Sequence, residues 1–184
     1  MSTKVHIFDL AARAIGAGGI TSTEGPDSVS RNLRAFYDVI LDARLSGNRW
    51  TFAWVRRSLN KLTSVPLNRY SHEFQLPADT LQLWAVYPNT DYQLVGKRIQ
   101  ANVTELDADL TLRPSEGDFP PWFTRALYLE LAASIAMPVT QNENLAARLE
   151  MAARDAWASA MNIDAQQDPV QAIQESPFTD VRSL

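Results

Sequence analysis

Cysteine is absent from the 184 residues, and with it every disulfide framework, thiolate zinc site and cysteine nucleophile. Stability must come from packing alone. Histidine occurs twice, as His6 and His72, and neither has a second ligand or base at helical or hairpin spacing, so both read as ordinary side chains. A long apolar run is also missing. The most apolar stretch, Trp122 to Met137, contains Arg125 and Glu130 and falls short of the roughly 20 residues a bilayer requires. Residues Met1 to Asp9 lack the charged start and apolar run of a signal peptide, which predicts a product made in the cytoplasm. Excess positive charge is absent too. The net charge of −4 would repel a phosphate backbone at long range and argues against general nucleic-acid binding.

What remains is an ordinary globular composition, 46% hydrophobic and 21% charged, long enough to bury roughly 70% of the surface of the unfolded chain in one core. Residues 3 to 15 place Ile7, Leu10, Ala11 and Ala14 at helical spacing, with Thr3 as N-cap and Gly16 as stop. From Pro26 to Ser46, Val29, Leu33, Phe36, Tyr37, Ile40, Leu41 and Leu45 form the apolar stripe of a second helix. Trp50 to Leu59 fits both a strand and a helical turn. Alternation through Tyr70, His72, Phe74 and Leu76, strand formers from Leu81 to Tyr87, a hairpin turning at Gly96-Lys97 and a weaker strand from Ala108 to Arg113 predict a small antiparallel sheet.

Helix returns at Trp122 to Met137, apolar nearly all round and therefore central, with Pro138 as its end. Thr140 and Glu143 stand at capping-box spacing before a helix to about Ile163, striped by Leu145, Leu149, Ala152, Ala153, Ala156, Ala160 and Ile163. The expected fold is α+β: a bundle of about four helices from residues 1–65 and 118–163, an inserted antiparallel β domain over 66–117, and an extended C-terminal arm over 164–184. The arm, dotted with Val170, Ile173, Pro177, Phe178, Val181 and Leu184, fits both a segment that orders on a partner and a frayed terminus.

Candidate chemistry is sparse. Glu105, Asp107 and Asp109 would share one strand face, as a solvated hairpin edge or a lumen lining; an enzyme reading would take Glu105 with Asp109, or Glu116 with Asp118, as the acid and base of a cell-wall glycosidase. Gly16-Ala17-Gly18-Gly19 begins like a dinucleotide fingerprint, but Thr21 replaces the third glycine and a helix precedes it, so it reads as a turn. Arg56, Arg57 and Lys61 beside Trp54 form the main basic group, read as a subunit contact because arginine and tryptophan are enriched in interfaces. No enzyme activity, cofactor or metal is expected.

Four stretches occur in a fixed order: Ile15-Gly16 with Ile20-Thr21-Ser22, Tyr37 with Arg44, Trp50-Thr51-Phe52-Ala53 with Arg57, and Leu76-Pro77-Ala78-Asp79. That order, over about residues 8 to 160, resembles the tail tubular protein A family, the head-to-tail adaptors of short-tailed bacteriophages. Arg49 stands where that family often has proline. The resemblance implies a virion protein: a ring of about twelve subunits between the portal protein and the tail nozzle, with genomic DNA passing through the middle. It also implies that the arm clasps the portal or a neighbouring subunit, and the acidity of such a ring predicts that some of Glu105, Asp107 and Asp109 line the channel. A head-completion or stopper protein of a long-tailed phage would use similar elements, and a small host regulatory adaptor would also suit the composition.

Overall fold

A computed structural model describes residues 3–167 and has the α+β architecture expected, with four helices and two small antiparallel sheets. The first helix, α1 (Lys4–Ala14), is capped by Thr3, whose hydroxyl accepts from the His6 amide at 3.2 Å. It stops where Gly16 takes φ +79°, a left-handed backbone that glycine adopts without a Cβ clash. Helix α2 (Ser28–Gly47) starts two residues later than the proline signal implied. Asp27 is its N-cap and accepts from the Ser30 amide at 2.8 Å, leaving Pro26 outside.

The ambiguous segment after α2 divides. Trp50 to Ala53 form a turn held by the Ala53 and Trp54 amides donating to the Trp50 carbonyl, and the chain then becomes β1 (Trp54–Ser58) and β2 (Asn60–Lys61). The β region therefore begins at Trp54, twelve residues before the expected boundary at 66. It continues through β3 (His72–Gln75), β4 (Thr80–Tyr87), β5 (Tyr92–Val95), β6 (Arg98–Ala101) and β7 (Asp107–Leu112). These strands make two sheets instead of one, ordered β1-β7-β4 and β2-β3-β6-β5. The strand expected to be weak, β7, is the centre of the first sheet. The inner faces of both sheets close on Leu59, Phe74, Leu76, Val86, Ile99, Leu106 and Leu110, the side-by-side burial that makes a sandwich.

Helix α3 (Pro121–Thr140) touches α1, α2 and α4 (Glu143–Ala165) and is the centre of the helical layer. It runs two residues past Pro138, to Thr140, and is capped by Gln141 in the left-handed region, φ 53°. So near the end, the missing proline N–H costs a single ladder bond. The capping box is also displaced: Asn142, not Thr140, caps α4 by accepting from the Leu145 amide at 3.0 Å. Among the described residues, no helix is long and apolar enough to cross a membrane.

The two layers meet at Trp50, 2% exposed. Its ring lies 5.3–6.2 Å from those of Phe52, Trp122, Phe123 and Trp157, and its indole N–H donates to the Arg44 carbonyl at 2.8 Å. Nearby, Glu130 on α3 accepts from Arg44 on α2 at 2.7 Å through two nitrogens and from the Trp157 indole on α4 at 2.7 Å. One carboxylate thus ties three helices. Trp50→Ala should lower unfolding free energy by about 3–5 kcal/mol, read as a fall in urea midpoint, with Trp50→Phe losing distinctly less; equal losses would show that the indole donor and not the ring contacts carries the effect.

Candidate functional site

Strand alternation sorts the first sheet into two faces. On β7, Ala108 and Leu110 point into the sandwich and are buried, so Asp107, Asp109 and Thr111 take the outer face. Register carries that outer face across β1, where Trp54 pairs with Thr111, Arg56 with Asp109 and Ser58 with Asp107. On β4, a register shift between Leu83 and Ala85 re-aims Trp84, whose indole donates to Thr111 Oγ1 at 2.8 Å.

Asp109 is the centre of this face, with its side chain 1% exposed. It accepts from Arg56 Nε at 2.6 Å and Nη2 at 3.1 Å, from Arg49 Nη2 at 3.5 Å, and from the Tyr87 hydroxyl at 3.4 Å. Both guanidinium groups also stack: Arg56 lies 4.1 Å over the Tyr87 ring and Arg49 4.3 Å over Trp54. The Arg56 hydrogen bond, helped by the charges of Arg56 and Arg49 against the cost of burial, holds the Asp109 carboxyl below its ordinary range. The same bond raises the Arg56 pKa.

Beside this face lies a cleft of about 700 Å³ between the turn after α2 and the C-terminal end of α4. Arg49, Thr51 and Trp54 line one side, and Met161, Asn162 and Gln167 the other. Its floor is anchored by Asp164, 3% exposed, which accepts from the Thr51 amide at 3.1 Å and hydroxyl at 2.7 Å. Asp164 and Ala165, expected in the arm, are therefore the last turn of α4. The rest of the arm set, Val170, Ile173, Pro177, Phe178, Val181 and Leu184, lies outside the described residues.

The acidic triplet does not survive as one lining. Glu105 is exposed ahead of β7 and Asp107 is half-buried, but Asp109 is closed off beneath two arginines and cannot face a channel. With its side chain 1% exposed and both oxygens taken by Arg56, Arg49 and Tyr87, Asp109 is out of reach of a substrate, which removes Glu105 with Asp109 as an acid and base pair. In the other pair, Glu116 accepts from the buried Tyr37 hydroxyl at 3.0 Å and Asp118 from Ser115 Oγ at 2.7 Å. Burial first, and then the Glu116 charge, push the Tyr37 phenol well up.

The basic group also divides: Trp54 and Arg56 belong to the outer face, whereas Arg57 pairs with Ala108 and stands exposed at the sheet edge, with no ionic partner among the described residues. His6 is exposed on α1, and His72 is half-buried beside Lys61, whose Nζ is 3.5 Å from Nε2. Among the described residues no three His, Cys, Asp or Glu side chains converge to hold a metal. The glycine-rich segment is a turn in which the Ile20 amide donates to Asp9 at 2.9 Å.

Sequence reasoning missed Arg49, Tyr87 and Trp84, which long-range register brings to the face. It also missed Trp157, which sits four residues after Ala153 in the very stripe that was read. No family model matches the chain, and a search of curated proteins finds no match either.

A group whose folded pKa is depressed stabilises the fold above its ordinary pKa, and that contribution is lost as pH falls through the folded value. Asp109→Asn should therefore lower the urea midpoint at about pH 7 and lie much closer to wild type at about pH 2. A gap of equal size at both would show that Asp109 acts through shape and not charge.

Proposed function

We propose that this chain is a structural subunit of a phage head-to-tail adaptor, a ring that joins the portal to the tail nozzle and forms part of the DNA channel. The observation that carries the reading is where the ordered motifs fall in the fold. Ile15 and Gly16 end α1, and Ile20 is tied back to that helix through Asp9. Tyr37 is fully buried against Phe8 at 5.4 Å. Arg44 reaches Glu130, and Trp50 to Ala53 join the helical layer to the sandwich. Leu76 to Asp79 turn the chain from β3 to β4, with the Leu76 amide donating to Lys97 and the Asp79 carbonyl accepting from Arg113. Residues that carry no chemistry but close core contacts and turns, in that fixed order, support a structural role.

The face built on Asp109 supports the same reading. Stacked arginines and half-exposed Trp84 and Tyr87 have the composition of an interface core and offer no strained or reactive group. Acidity has a use in a ring. Twelve copies at −4 each would carry about −48, and a negative lumen lets DNA slide without adhering. Glu105 and Asp107 remain the residues for that lining, without Asp109.

Purified protein, alone and mixed with the portal of its own phage, should give a large ring by native mass spectrometry and by electron microscopy; a chain that leaves the portal bare in both would end the adaptor reading. In assembled particles, Glu105→Lys with Asp107→Lys should slow DNA ejection, and an unchanged ejection rate would remove these two residues from the lumen.

A further inference from the structure

Both sheets end on one side in β4 and β5 and on the other in β1 and β2. Strand β5 pairs only with β6, so its second edge presents unpaired backbone groups. Tyr92, Leu94 and Val95 are 40%, 49% and 47% exposed, and the strand contains no lysine, proline or other charge to blunt it. Next to it runs a groove of about 300 Å³ lined by Leu76, Leu81, Leu83, Tyr92 and Leu94. The opposite edge differs: β1 carries Arg56 and Arg57, and β2 carries Lys61.

Register fixes which way each side chain faces. On β5, Tyr92 and Leu94 pair with buried Ala101 and Ile99, so they take the inner face, and Gln93 and Val95 take the outer one. On β1, Val55 and Arg57 pair with buried Leu110 and Ala108 on the inner face, and Trp54 and Arg56 lie outside. Directly opposed residues of an antiparallel pair must share a face. An antiparallel match of β5 to β1 satisfies this at four positions: Tyr92 opposite Arg57, Gln93 opposite Arg56, Leu94 opposite Val55, and Val95 opposite Trp54. It sets the Tyr92 ring against the Arg57 cation, two apolar side chains, Leu94 and Val95, against Val55 and Trp54, and Gln93 against the Arg56 stem. Pairing β5 with a second β5 aligns only three face-matched residues, because the odd registers put inner against outer. Pairing β1 with β1 sets like charges together.

We propose that β5 of one copy adds to the β1 edge of the next, covering the groove and joining the two sandwiches into one continuous sheet. The contact is head-to-tail, the kind that repeats into a ring or a filament. It rests on the ring reading for its closure, although the contact itself is tested without the portal.

The cysteine-free chain suits disulfide trapping. Full-length protein carrying Tyr92→Cys and Arg57→Cys, oxidised at high concentration, should give a ladder of linked oligomers on a non-reducing gel. A mixture of the two single variants should give dimers alone, and each single variant should stay monomeric. Absence of the ladder at an unchanged melting temperature, or a dimer formed by Leu94→Cys alone, would overturn the inference. Should the double variant fail to fold, Leu94→Lys serves instead: the sedimentation-average mass should fall toward the monomer at an unchanged melting temperature, and retention of the wild-type mass would overturn it. Rings on the portal without the ladder would sink the edge contact and leave the adaptor reading standing. A ladder from a chain that ignores the portal would do the reverse.

Discussion

Burial of the Trp50 indole is the interaction on which the rest of the architecture depends. The ring touches residues from the turn after α2, from α3 and from α4, so the turn that leads into the sandwich is anchored in the helical core, while the sandwich closes on a core of its own. Edge-on and tilted contacts of this kind add about 0.5–1.5 kcal/mol each beyond the area they bury. The indole N–H needs a partner once it leaves water, and the Arg44 carbonyl supplies it. Arg44 then has only one direction in which to extend, toward Glu130 and over the Trp157 ring at 4.9 Å. Position of the helices follows from that chain of obligations.

A second obligation organises the sandwich. Asp109 in the central strand would be costly to bury alone; two arginines and a phenol satisfy it, and their stems and rings spread across the outer face of the sheet. The same sheet consequently has an apolar inner face and a polar, aromatic outer one. Arg56 is held in a two-nitrogen bond and both arginines stack on rings, so these charges are committed to Asp109 and to the sheet, a composition that suits the protein contact proposed above.

The edges of the sandwich are managed unequally. The β1 and β2 side is guarded by three cations, whereas the β5 side is open and apolar. An isolated chain gains nothing from such asymmetry and risks indiscriminate association. For a subunit that always has a neighbour, the same asymmetry dictates polarity, because the basic edge cannot meet its own kind. Under the edge pairing proposed above, the strands that build the fold are also the ones that direct assembly.

Local rules determined much of this protein directly from its residues. The Thr3 cap, the Gly16 stop, the hairpin at Gly96, whose φ of +59° needs no side chain, and the stripe of α2 all depend on neighbours within a few positions. Two local signals failed for different reasons, one a neighbouring hydrogen bond and the other a distant strand. Pro138 did not end α3 because the last turn is completed by Gln141, and the segment after Trp50 became a turn and a strand because β7 was there to pair with it. The acidic triplet was legible as a period-two pattern, yet only tertiary structure decided that Asp109 is sealed under Arg49 and Arg56, residues 60 and 53 positions away in the chain. Hydrophobic period is a property of adjacent residues, whereas the partner of a buried charge is chosen by the whole fold.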